Sequence, residues 1–158
     1  MTRIQRLIAA LWLGSVFFLM LAASAAFRAA PNPTAAADVV GAMLARWHYI
    51  ALAAPLILFA IELRSVRRVV LIVLFIALLL AAAQAFVDLR IRSIRMRSPV
   101  AISSLDPRHP ARRQFGALHG MSMFLLLAQA LAAAAVVMTK EKHEEVVMPT
   151  SEPSGGGP

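Results

Sequence analysis

Four stretches of this chain are apolar for longer than a small soluble core can use, and nothing else in the sequence restricts its fold as much. The first, Leu7 to Phe27, carries no charge and is bracketed by Arg3, Arg6 and Arg28. The second covers about residues 39–63, the third 69–87 and the fourth 117–138. A hydrocarbon layer about 30 Å thick is crossed by roughly 20 helical residues rising about 1.5 Å each, so every stretch is long enough to span. Backbone groups in lipid must find partners within their own segment, which makes each stretch a helix. Hydrophobic residues are 60% of the 158 and charged ones only 15%, far from the balance of a soluble domain. The sequence predicts an all-α fold, a four-helix bundle integral to the cell membrane and crossing it several times.

The connections set the topology. PNPTAAAD, residues 31–38, breaks the first helix with two prolines and can start an extended second one. ELRSVRR, residues 62–68, allows only a tight turn, so the second and third helices are antiparallel neighbours. Residues 88–114 read as one long loop carrying seven arginines. Residues 139–158 mix charge with Ser, Gly and Pro and read as a disordered tail. Arg3 and Arg6 followed by an apolar stretch and Ala23-Ser24-Ala25 also resemble a cleavable signal peptide. The stretch exceeds the roughly 7 to 15 residues of a signal core, which favours a retained helix.

Four spans put Arg3, Arg6, Arg64, Arg67, Arg68, Lys140 and Lys142 on one face of the membrane. Arg28, Arg46, Arg90, Arg92, Arg95, Arg97, Arg108, Arg112 and Arg113 lie on the other, and seven against nine leaves the orientation open. The net charge of +8 points to anionic lipid headgroups rather than to nucleic acid. In DLRIRSIRMR the apolar residues interleave with Arg90, Arg92, Arg95 and Arg97, a pattern that lies at the interface with its arginines on phosphates. No cysteine is present, which removes disulfides, thiolate metal sites and thiol nucleophiles.

The same topology brings Arg46, His48, Gln84, Asp88 and His119 to similar depth on the loop-bearing face, and ionisable groups converging there form a candidate site. Arg46-Trp47-His48-Tyr49 also reads as an interfacial belt of snorkelling and amphipathic side chains. Gly116 and Gly120 form G-x-x-x-G, continued by Ala128 and Ala132, a stripe for close helix approach within the bundle or to a second copy or another membrane protein. Gln129 is the one strongly polar residue near the middle of the fourth helix and is expected to bond across the bundle, with a carbonyl freed by Pro55 as one partner. His119 with Met123 offers soft-metal donors, and His48 with His119 could ligate haem axially. No resident cofactor is expected on the leading reading, and no nucleophile–base pair, paired carboxylates or phosphate loop suggests an enzyme.

LWLGSVFF, VVGAML and above all DPRHPARRQFGALHGMSMFLLLAQ resemble the transmembrane protein 205-like family, small four-helix membrane proteins whose shared domain is catalogued as of unknown function. The matching pattern is R-x-x-F-x-x-L-H-G-x-S, here Arg112, Phe115, Leu118, His119, Gly120 and Ser122, and the resemblance covers roughly residues 7–138. It implies a retained first helix and a four-span bundle, and singles out His119-Gly120-x-Ser122, which adds Ser122 to the candidate cluster of Arg46, His48, Asp88 and His119. An animal member is associated with resistance to platinum drugs, which implies contact with soft metals; no cysteine is here to supply that chemistry. The functional expectation is a non-enzymatic, transport-associated or scaffold protein. The alternative is a haem- or copper-binding redox component.

Overall fold

The computed structural model describes residues 2–64 and 67–139. Residues 140–158, nearly all of the tail expected to be disordered, lie outside the described residues. Four long helices carry the fold: α1 (Arg3–Ala29), α2 (Pro33–Glu62), α3 (Arg68–Arg97) and α4 (Pro110–Val137), with a short 3₁₀ turn at Ile102–Ser104. Each is long and apolar enough to cross a membrane. Only 22% to 33% of each apolar stretch is buried within the chain, so most of the apolar surface faces outward, as lipid requires.

The helix starts follow from local chemistry. Thr2 and Gln5 close a capping box on α1. Asn32 caps α2 ahead of Pro33, and His109 caps α4 ahead of Pro110, each proline standing where its missing N–H is not needed. The second helix therefore begins at Pro33 rather than near residue 39. The larger difference lies after the third span, because α3 continues to Arg97. Arg90, Arg92, Arg95 and Arg97 stand on a helix and not in a loop, and the connection to α4 shrinks to residues 98–109. At about 1.5 Å per residue, the thirty residues of α2 and of α3 each reach about 45 Å, well beyond a hydrocarbon layer of about 30 Å. That excess is enough to carry the start of α2 and the end of α3 beyond the hydrocarbon into the headgroup region on the loop face.

The helices pack in a ring in which each touches its chain neighbours and α1 closes against α4. Buried positions recur at alternating steps of four and three: Gln5, Ala9, Trp12, Val16 and Leu19 on α1, and Val70, Leu74, Ala77, Ala81 and Gln84 on α3. That is the seam of a left-handed antiparallel bundle. Three apolar layers fill it. Ala9, Leu58, Val70, Leu74 and Val136 occupy the end near the Glu62–Arg68 turn. Trp12 then fits against Ala54, Ala77 and Ala133, one large ring facing three small residues. Val16, Leu19, Trp47, Ala51, Ala81 and Leu126 follow.

Candidate functional site

Beyond the third apolar layer the interior turns polar. Asp88 on α3 is the centre of this layer: two side chains donate to its carboxylate, and His48 stands at ion-pair distance from it. His48 Nε2 on α2 lies 3.1 Å from Oδ2. Gln84 Nε2, one turn back on α3, donates to the same oxygen at 3.0 Å, and Ser122 Oγ on α4 donates to Oδ1 at 2.9 Å. Gln84 Nε2 also donates to Ser122 Oγ at 2.6 Å. The other ring nitrogen of His48, Nδ1, is buried, as is Gln84 Oε1, and neither has a hydrogen-bond partner among the described residues.

Depth follows from helix length. With the Glu62–Arg68 turn as one boundary, about 1.5 Å per residue puts His48 about 21 Å in, Gln84 and Ser122 about 24 Å and Asp88 about 30 Å. On that measure the layer sits toward the loop end of a hydrocarbon thickness of about 30 Å, where a carboxylate needs internal partners.

The structure brings together His48, Asp88 and Ser122 from the predicted cluster, and Gln84 with them. Arg46 does not join: it is exposed and donates to Ala42 O of its own helix. His119 does not join either. It is exposed on α4 and stacks on Phe115 one turn earlier, ring centroids 6.1 Å apart and nearly parallel. His48 is committed inward to Asp88 while His119 lies on the outside, so no contact pairs them as two axial ligands would require. Met123, the other soft-metal candidate, is likewise exposed, and among the described residues no group of three His, Cys, Asp or Glu side chains is placed to hold a metal ion.

The Arg46–Tyr49 segment divides by helical phase. Arg46 and Tyr49 face out, whereas Trp47 is buried and its indole N–H donates to Ser15 Oγ on α1 at 3.0 Å. Ser15 passes its own hydroxyl hydrogen to Trp12 O. Gly116 and Gly120 are exposed, and a Cβ on either meets nothing within 4 Å, so they make no close approach inside the bundle. Gln129 is fully buried, but neither amide atom has a hydrogen-bond partner among the described residues. The bond expected across the bundle, to a carbonyl freed by buried Pro55 or to another group, is not made.

A second polar centre, which the sequence reading passed over as a tight turn, closes the opposite end. Glu62 is 1% exposed at the end of α2; Gln5 Nε2 donates to Oε2 at 2.9 Å, and the Arg67 guanidinium binds both oxygens. The available signal was an acid five residues before an arginine at a helix end. At the loop end, Arg95 donates to Asp38 Oδ1 at 2.6 Å and to Ala37 O at 3.2 Å, with its guanidinium passing beside Gly41. Arg95 is thus a tie between α3 and α2 rather than a free headgroup contact. Arg90 lies over the Phe86 ring, 5.1 Å from its centroid.

Comparison with protein-family profiles, curated proteins and solved structures gives no match.

Proposed function

We propose that the chain is a non-enzymatic multi-pass membrane protein that acts as a scaffold, organising a membrane complex or assisting a transport system, with the basic loop face as its working surface. The carrying observation is the convergence of His48, Gln84 and Ser122, from three helices, on Asp88. Apolar faces slide against one another in lipid with little preference, since tails are as apolar as leucine. A carboxylate held by two donors and faced by an imidazole has one best register, so this layer fixes α2, α3 and α4 relative to one another and holds rigid the surface they carry. The apolar layers below it, with Trp12 against three alanines, are built for packing rather than for passage of a solute. The resemblance to the transmembrane protein 205-like family rests on the Arg112–Ser122 pattern and adds to this reading only the expectation of a four-span protein.

The test is extraction of the chain from native membranes in polymer-bounded lipid discs, with particle mass and visible absorption recorded for the wild type and for Asp88→Leu. The reading predicts a defined assembly heavier than one 17.1 kDa chain that loosens in Asp88→Leu while helix content is retained. A wild-type disc holding a single chain contradicts it. So does a Soret band that vanishes in both His48→Ala and His119→Ala, which establishes the redox alternative.

A further inference from the structure

We propose that the loop end of α3 holds a site for one anionic phospholipid, with the phosphate on Arg92 and Arg97 and the acyl chains leaving along Leu89 toward the apolar part of α3. Two adjoining depressions meet at Arg97. One is a shallow, open strip along a single face of α3, lined by Leu89, Arg92, Ser93, Met96 and Arg97. The other, about 330 Å³, lies between the end of α3, the 98–109 connection and the start of α4, where Ser98, His109 and Gln114 surround Ile94 and Leu105. Leu89, Arg92, Ser93 and Met96 follow one another at steps of three, one and three, so they share one helix face. Leu89, 65% exposed, continues the lipid-facing side of α3, and Met96, 77% exposed, lies beside the arginines one to two turns further on.

Charge selects the occupant. Arg92 and Arg97 are exposed, and their guanidinium groups have no hydrogen bond or ion pair with the described residues. The three acids at this end are already engaged: Asp38 with Arg95, Asp88 in the buried layer, and Asp106 with the Arg108 backbone N–H. His109 uses Nδ1 to cap α4, which leaves Nε2 as a further polar contact beside Arg97. Two unpaired guanidinium groups above an apolar strip match a phosphate joined to acyl chains, and the strip has no use for a free phosphate ion. The helical course of residues 88–97 makes the site possible. In an irregular loop the same residues would share no face. The proposal goes beyond the scaffold reading and does not depend on the Asp88 layer.

The experiment is native mass spectrometry of the detergent-purified full chain with equal amounts of phosphatidylglycerol and phosphatidylcholine. The expected result is preferential retention of phosphatidylglycerol, falling roughly fivefold for each arginine lost and about thirtyfold in the Arg92→Gln/Arg97→Gln pair. Arg28→Gln, at the same end on α1, should keep the preference. Equal retention of the two lipids by the wild type, an unchanged preference in the double variant, or displacement of the lipid by an equal concentration of inorganic phosphate overturns the proposal.

Discussion

Gln129 shows how little a residue's identity says about its partners. A lone amide in the middle of an apolar helix reads as an interhelical hydrogen bond, yet both of its polar atoms are buried and unpaired among the described residues. An unsatisfied buried polar group costs roughly 1–3 kcal/mol, and an apolar replacement of similar volume removes that penalty. Gln129→Leu should therefore leave the protein as stable or raise its stability by about 1 kcal/mol, read from chemical unfolding in detergent. A clear loss of stability would mean that the amide has a partner. The opposite holds at Ser122, which donates to Asp88 and accepts from Gln84. Ser122→Ala should cost about 0.5–1.5 kcal/mol in the same assay. His48 and Asp88 were legible because topology placed them at one depth, and Ser122 because the resemblance singled it out. His119 and Arg46 were not separable from them, because depth fixes position along a helix and says nothing of rotation about its axis.

Rotation is settled at the level of the element. The buried seam of α4 runs through Ser122, Leu125, Leu126, Gln129, Ala133 and Val136, which turns Gly116, Gly120 and His119 outward. A G-x-x-x-G pattern identifies a face suited to close approach but not the helix that approaches it. With nothing within 4 Å of an added Cβ, alanine at Gly120 meets no obstacle in the chain and improves helix propensity. Gly120→Ala should raise stability by up to about 1 kcal/mol in detergent. Destabilisation in native membranes together with a rise in detergent would reveal a second helix on this face, whereas a loss in detergent contradicts the open surface. The extent of α3 exceeds the expectation from sequence for a related reason. Arg90 to Arg97 look like a loop when the hydrocarbon boundary is taken as the end of the helix, but a helix ends where its caps and hydrogen bonds end, and these carry α3 into the headgroup region.

For the whole molecule, the number of spans, their up-down order and the antiparallel pairing of α2 and α3 were readable from four apolar runs and one short turn. The two polar centres needed coordinates. Glu62, Gln5 and Arg67 meet only because α1 starts where α2 ends, and a buried carboxylate there looks in sequence like any charge at a membrane boundary. The resulting design has an apolar middle clamped at one end by the Glu62 group and at the other by the Asp88 layer, with the Arg95–Asp38 tie above it. All of this requires that the ends of α1 and α3 and the starts of α2 and α4 share one side of the membrane. The absence of cysteine makes the measurement direct, because any single substitution provides the sole thiol. Arg28→Cys, Ser103→Cys and Arg64→Cys should be labelled in intact cells and inverted vesicles by a maleimide that cannot cross lipid. The account predicts that Arg28→Cys and Ser103→Cys react from the same side and Arg64→Cys from the opposite one. Labelling of Arg28→Cys and Ser103→Cys from different sides, or of all three from one, contradicts it.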